Sequence, residues 1–338
     1  MAKLTPTWRE EWRQWWQSLP SSAKIAPLFY ALSYWGIIHL VGKLAVDHVA
    51  PVVVLVGLYY AGPKLRSVYE FALPFILVIV VYDSQRYYAD YIRGPIHVKE
   101  PYDFDKKFFG MFHEGQLLTP PEWFQLNTHW ILDLITGFFY IAFIPIFVLI
   151  SIYFRFRLNR VGTAKCSARY IEEQSPQIMW SYFWLNVIGF STYYWYAASP
   201  PWYAAMYGFG PARTDVPASP AGCARFDALL GTTIFNEWYG RSADVHGAIP
   251  SLHIAYPLLT VYYAFKFGAL RLTALQYYLW LCFSAVYLNQ HYFTDVIIGS
   301  IYALTAAKGV DIYWNWKLKQ CQPSQIEGLI ANSPNHKL

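Results

Sequence analysis

Apolar and polar stretches alternate to divide the chain into eight hydrophobic segments, near residues 25–46, 50–62, 68–83, 131–154, 178–198, 253–269, 271–289 and 293–314. About 20 apolar helical residues cross a bilayer, and about 17 are the shortest run that does. Six of the segments reach that length. The second and third fall short and are expected to be tilted, re-entrant or longer than their apolar part. The segment 131–154 is the clearest, with Asp133 its one charged residue. The pattern predicts an all-α, polytopic transmembrane bundle of about six to eight spans, forming one domain over 25–318. Ahead of it, in residues 1–24, Trp8, Trp12, Trp15 and Trp16 recur at helical spacing among Arg9, Glu10, Glu11 and Arg13. That predicts an amphipathic helix, either lying on the membrane surface or packed on a loop of the same protein. Behind it, residues 319–338 are polar, contain Pro323 and Pro334, and are expected to be disordered. No cleavable signal peptide is visible.

Composition agrees with the pattern. Only 14% of the 338 residues are charged, against about 25% in a soluble domain, and 56% are hydrophobic. Mean hydropathy is +0.22. The 29 Tyr and 15 Trp suit membrane–water interfaces, and the run Tyr193, Tyr194, Trp195, Tyr196 reads as part of such a belt. The net charge is +5, but the basic residues flank apolar segments and form no stripe. They therefore speak for membrane topology and anionic-lipid contact, and against nucleic-acid binding. Their distribution favours both termini in the cytoplasm, which puts the long loops 84–130 and 199–252 on the opposite side. Cys166, Cys223, Cys282 and Cys321 lack metal-type spacing, so no disulfide framework, metal or cofactor is expected.

Candidate chemistry gathers at the ends of the last three segments. Gly247-Ala248-Ile249-Pro250-Ser251-Leu252-His253 leads into one apolar segment, with Ser251 a plausible N-cap. A helix N-terminus offers free N–H groups to a phosphate, and a histidine in its first turn can protonate a departing oxygen. His291 and Asp295 lie at the next junction, four residues apart and so on one helix face. The carboxylate can hold one ring nitrogen and leave the other free to attack. Ionisable groups are costly in a membrane and rarely stand there without a task. The alternating topology brings His253, His291, Asp295 and both long loops to one face, away from the cytoplasm.

Pro250-Ser251-Leu252-His253 and His291-x-x-x-Asp295 resemble the second and third signatures of the type-2 phosphatidic acid phosphatase superfamily, and within it the fungal inositol phosphorylceramide synthases. Pro200-Pro201-Trp202-Tyr203, the stretch from Ser219 to Gly231, Gly247 to His253, and Tyr287 to Asp295 match that family in order. The resemblance implies a six-helix core and transfer of phosphoinositol from phosphatidylinositol to ceramide without a cofactor. It implies that His291 is the nucleophile, Asp295 its orienting group and His253 the proton shuttle. Arg225 is the expected phosphate-binding cation, the alternative being a loop salt bridge with Asp227. Arg93, in Arg93-Gly94-Pro95, is a further candidate. Asp133 is expected to bind inositol hydroxyls or to cap its helix. His246 and Asp244 would bind the headgroup or stand in a solvated loop.

Two departures bear on the reaction. Leu252 stands where the superfamily phosphatases have Gly, and Ala285 where they have Arg, while their first signature has no clean match. These changes favour a transferase over the alternatives, a lipid phosphate phosphatase or a transferase with another headgroup donor. The resemblance implies a Golgi membrane in a eukaryote and the cytoplasmic (inner) membrane in a bacterium. An accessory subunit is left open.

Overall fold

The computed structural model describes residues 7–42, 44–240, 242 and 244–331, with side chains described as far as residue 317. The chain opens with α1 (Trp8–Ser18), α2 (Ser21–Val41), α3 (Val46–Tyr60) and α4 (Arg66–Ser84). A first loop region carries α5 (Ala89–Ile92), β1 (Ile96–His97), α6 (Lys99–Phe109), β2 (Met111–His113), β3 (Gln116–Leu118) and α7 (Pro120–Leu126). Next, α8 (Trp130–Ile141) and α9 (Phe143–Ile152) run to the other end of the bundle. There the chain turns through a π-helical stretch (Tyr153–Leu158), α10 (Asn159–Val161) and α11 (Ala168–Gln174). The return helix α12 (Gln177–Trp195) leads to a second loop region with β4 (Ala197–Ala198), α13 (Pro201–Tyr207), α14 (Cys223–Leu230) and α15 (Ile234–Tyr239). Three long helices follow: α16 (Leu252–Phe267), α17 (Arg271–Tyr287) and α18 (Phe293–Ala331).

The fold is all-α with only two-stranded scraps of sheet, and each of the eight apolar segments forms a helical rod. Six rods make the core: α16 packs on α17, α18, α12 and α9, α12 on α18 and α4, and α17 on α8. Phe147, Ile178, Leu185, Leu259, Tyr263 and Ala303 are sealed inside it. By contrast α2 turns Ile25, Leu28, Phe29, Leu32 and Leu40 outward, the surface a bilayer solvates. Among the described residues three stretches are long and apolar enough to cross a membrane by themselves: Ser21–Val41, Pro63–Tyr87 and Phe293–Lys317. The α8–α9 rod, taken with the turns that follow it, is a fourth if its bend is counted within one span. The central rods are shorter or more polar because they face protein, where Asn186, Thr192 and Thr260 satisfy backbone or side-chain partners.

The third span is longer than its apolar part, one of the outcomes expected of it, because 3₁₀ turns extend it to 25 residues. The fourth is not straight but bends by 51° between Ile141 and Phe143. Pro145 accounts for the bend: it has no N–H for the Ile141 carbonyl, and its ring crowds that same group. The Tyr277 hydroxyl then donates to the Phe143 carbonyl. At the chain's start, Trp12 donates its indole N–H to the Tyr60 carbonyl at 2.8 Å and Trp15 meets Tyr59 edge-on. The Trp face of α1 is thus packed on the end of α3. In the polar tail α18 stays helical to Ala331, and residues 332–338 lie outside the described residues.

The N-termini of α16 and α18 are locked together. The Ser251 N–H donates to the Asp295 carbonyl at 3.2 Å. A Cβ on Gly299 would stand 2.3 Å from the Ser251 oxygen, so only glycine permits this approach. From the first loop region Asp105, fully buried, caps α18: its Oδ1 accepts the backbone N–H and the hydroxyl of Thr294, both at 3.0 Å. Its Oδ2 has no partner. Burial pushes the Asp105 carboxyl up to about 6, against the bonds from Thr294 and with help from the Asp295 charge.

Two outcomes follow for the purified protein. Gly299→Ala should lower stability by about 1–3 kcal/mol through overpacking. Gly309→Ala, on the same helix with open space around it, should stay within about 1 kcal/mol of wild type. Thermal unfolding of the two variants side by side is the check. A carboxyl raised in the folded state stabilises fully only below its unfolded value near 3.8, and that stabilisation is lost as pH rises through about 6. Asp105→Asn, which keeps the oxygen facing Thr294, should therefore be the more stable protein at pH 7.5, by on the order of 2 kcal/mol. The gap should close towards pH 4, and a gap independent of pH would refute it.

Candidate functional site

The loop before α16 is held from three sides. Ala198 pairs with Gly247, and the same strand pairs in parallel with β1, so both loop regions are stitched at this point. The Tyr193 hydroxyl donates to the Pro250 carbonyl at 3.0 Å. Gly247 lies against the Tyr193 ring, where a Cβ would stand 3.1 Å from it. These supports deliver His253 into the first turn of α16, stacked on Tyr140 with ring centroids 4.7 Å apart and against Phe143 at 4.4 Å. The bend at Pro145 turns both aromatic residues toward it.

His291 lies in the turn between α17 and α18. Its N–H and that of Gln290 both donate to the Ala285 carbonyl, at 3.1 and 3.0 Å. Its Nδ1 is 3.3 Å from Asp295 Oδ2, and its Nε2 is 3.3 Å from His253 Nδ1. His253, His291 and Asp295 therefore form one chain of polar contacts. The His–Asp pairing does not arise as two residues on one helix face. His291 precedes α18, and Asp295 sits in its first turn and folds back to accept the Tyr292 N–H at 2.9 Å. This is half of a capping box, and the capping geometry is what aims the carboxylate at the ring. Asp295 is completely buried and its Oδ1 has no partner. Burial lowers the His291 imidazole to about 4, so the ring is neutral near pH 7 and has a lone pair to offer.

A cavity of about 820 Å³ opens beside this chain. His253, His291, Gln290 and the backbone of Gly247 and Ala248 line its polar end, and Tyr140, Phe143, Tyr182, Phe190 and Tyr193 its walls. It continues between α3 and α4 along Val46, Ala50, Pro51, Val78 and Ile79. A largely apolar trough that also carries Asp47, Asp83, Arg86, Glu237 and Asp244 and reaches two imidazoles fits a molecule with an acyl part and a polar, reactive head.

The other expected site residues are placed differently. Ser251 occupies the N-cap position, but its hydroxyl makes no cap bond and is buried without a partner. Arg225 does not pair with Asp227. Its Nε donates to Asp133 Oδ1 at 2.6 Å, its Nη1 to Gln125 Oε1 at 2.8 Å, and its guanidinium lies over the Tyr287 ring. Asp227 instead receives the backbone N–H groups of Phe235 and Asn236. Asp133 also accepts the Tyr287 hydroxyl at 3.0 Å, so Arg225 and Asp133 pair away from the cavity wall, with Arg225 Nη2 left without a partner among the described residues. Arg93 is buried and donates to Asp244 Oδ1 at 2.9 Å. His246 has both ring nitrogens engaged, with the Ser199 hydroxyl at 2.9 Å and the Arg213 carbonyl at 3.0 Å, and it does not reach the cavity. Its neighbour Asp244 does, with Oδ2 unpartnered. Tyr193, read as part of an interface belt, is a buried wall of the site. Among the described residues no three His, Cys, Asp or Glu side chains are grouped to hold a metal ion.

Residues 114–308 match the model of the PAP2 superfamily. The chain is 33% identical to the phosphoinositol dihydroceramide synthase of Bacteroides thetaiotaomicron over 268 residues, which are 76% of this chain and 81% of that protein. It is 30% identical to the inositol phosphorylceramide synthase catalytic subunit of Schizosaccharomyces pombe over 257 residues, 74% of this chain and 55% of that longer protein. The Saccharomyces cerevisiae counterpart matches at 34% over 119 residues, 35% of this chain and 30% of that protein. No solved structure matches the chain significantly. With more than half of its length matched to the family model and most of it to a full-length relative, the chain belongs to the PAP2 superfamily and, within it, to the inositol phosphorylceramide synthases.

Proposed function

We propose that this membrane enzyme moves phosphoinositol from phosphatidylinositol to ceramide, giving inositol phosphorylceramide and diacylglycerol. The observation that carries the reading is the His253–His291–Asp295 chain at the closed end of a lipid-sized apolar trough. The relatives named as phosphoinositol dihydroceramide and inositol phosphorylceramide synthases supply the substrate class. His291 Nε2 attacks the donor phosphorus, and the bond to the diacylglycerol oxygen breaks. That alkoxide takes a proton from His253, and the inositol phosphate stays on His291 as a phosphohistidine. The ceramide hydroxyl then gives its proton to His253, attacks phosphorus and frees His291. Asp295 holds the His291 tautomer and stabilises its positive charge. Two nitrogens 3.3 Å apart leave no room for a phosphoryl group between them, so the donor comes from the cavity side. The N-termini of α16 and α18 point their positive ends at the developing charge. Ser251 belongs to this pole. The Arg225–Asp133 and Arg93–Asp244–His246 groups brace the walls from behind.

Residues 25–318 form the catalytic domain, between an interfacial segment at 1–24 and a polar tail at 319–338. The excess of basic residues at the opposite end of the bundle supports a site on the non-cytoplasmic membrane face, in the Golgi of a eukaryote or on the inner membrane of a bacterium. The name of the S. pombe relative, a catalytic subunit, supports looking for an accessory subunit here.

Purified protein given labelled ceramide and a panel of phosphatidylinositol, phosphatidylcholine, phosphatidylethanolamine and phosphatidic acid should form its ceramide product from phosphatidylinositol. Mass spectrometry identifies the product. Free phosphate released from phosphatidic acid, with no ceramide product from any donor, would point to a phosphatase instead. His291→Ala should abolish transfer. Asp295→Asn should slow it by roughly 10⁴-fold, the cost of the same change in a serine-protease triad. Transfer near the wild-type rate by His291→Ala would exclude it as the nucleophile.

A further inference from the structure

The trough contains carboxylates but little to hold an anion. Asp47, Asp83, Glu237 and Asp244 line it, and among the described residues Arg86 is the single Lys or Arg that does. A phosphodiester withdrawn from water needs a cation or a set of strong donors. Arg93 and Arg225 bind Asp244 and Asp133 and are not among the residues that line the trough, and Arg213 forms a two-pronged pair with Asp215 at the exposed surface.

Arg86 is mounted for the task. It follows α4 in a 3₁₀ turn, where its Nε donates to the Asp83 carbonyl at 3.1 Å and its Nη2 to the Asp83 carboxylate. The other Asp83 oxygen lies 2.6 Å from Nε2 of His48, a residue only 2% exposed. His48 Nδ1 accepts the Ala45 N–H at 3.0 Å, so Nε2 is the nitrogen left on the Asp83 side, with the Tyr87 hydroxyl 3.4 Å from it. The guanidinium is thus oriented by a buried pair while its side chain remains 38% exposed. Its Nη1 has no hydrogen-bond partner among the described residues. A series of side-chain contacts connects its turn to the loop before His253. Tyr82 packs on Phe190, Phe190 on Tyr193, and Tyr193 holds the Pro250 carbonyl three residues before His253. The three rings all line the trough.

We infer that Arg86 binds the phosphodiester of the phospholipid donor, with Asp83 and His48 holding its guanidinium in place. The inference rests on the transfer reading above and adds to it a residue from outside the stretch matched to the superfamily, 114–308. Loss of a charge-assisted bond costs binding, so Arg86→Gln should raise KM for phosphatidylinositol roughly 10-fold to 100-fold. The KM for ceramide should stay within about twofold. Arg86→Lys, which keeps the charge without the fork, should fall between. Arg66→Gln, at the far end of α4 and paired with Glu70, should change neither constant.

A second measurement avoids variants. Wild-type protein is treated with phenylglyoxal, and labelling of Arg86 is read by peptide mass spectrometry. Dihexanoyl phosphatidylinositol should protect Arg86, and dihexanoylglycerol should not. Protection by inorganic phosphate equal to that by the lipid would overturn the inference in favour of a plain anion site. So would an unchanged donor KM in a folded Arg86→Gln, or no protection by the lipid. If Arg86→Gln does not fold, the labelling decides. Wild-type protein that makes no ceramide product from phosphatidylinositol would sink the transfer reading, while Arg86 protection by the lipid would still stand as a binding result. Normal transfer with no protection would sink the Arg86 assignment alone.

Discussion

The Ser251 N–H donates to the Asp295 carbonyl, and everything in the site is referred to that contact. It brings together the starts of two helices, with His253 in the first turn of one and His291 just ahead of the other. Gly299 makes it sterically feasible, since any side chain there would strike the Ser251 carbonyl. Once the helix starts are joined, Asp295 is committed twice. Its backbone binds the α16 loop, and its carboxylate caps α18 and faces His291. The carboxylate beside His291 is thus part of the framework. That is how a polar chain of three residues can stay ordered in an apolar bundle.

The layer of loops over this end supplies what the spans cannot. Asp105 caps α18 from α6, Ala198 and Gly247 tie both loop regions to the α16 entry, and Tyr193 props the Pro250 carbonyl. The ionisable residues of these loops follow one rule: a buried charge takes its partner from a different segment. Arg225 finds Asp133, and Arg93 finds Asp244. At the other end of the bundle Lys266 finds Asp311. Such pairs cost desolvation and return it as geometry, so removing one partner strands the other. Arg86 departs from the rule: its partner Asp83 lies three residues before it, and its side chain stays partly open.

The trough joins the polar chain of His253, His291 and Asp295 to the N-terminal helices. Its walls run from the imidazoles to α3 and α4, helices that lie ahead of the stretch matched to the superfamily. The bend at Pro145 forms part of the same wall, because it turns Tyr140 and Phe143 onto the His253 ring. A straight helix over 131–154 would leave that ring without its stacking partners.

Much of this protein was legible along the chain. Hydrophobic segments must satisfy their own backbone in a membrane, so length and polarity alone called for about six to eight helical spans, and each of the eight apolar segments is helical. His253, His291 and Asp295 could be picked out because ionisable groups at apolar boundaries are expensive and therefore few. Pro145 announced its bend to any reading that tracked the missing N–H. The partners of Arg225, Asp133, His246 and Asp105 had no local signature, because each is met by a segment far away in the chain. Which cation faces the trough was equally hidden. Arg86, Arg93 and Arg225 are all loop arginines in sequence, and only packing decides which is consumed by a buried carboxylate. Residue type and hydrophobic period thus determined the rods and the reactive trio. Long-range pairing of buried polar groups, which depends on three-dimensional proximity and on no pattern along the chain, decided the rest.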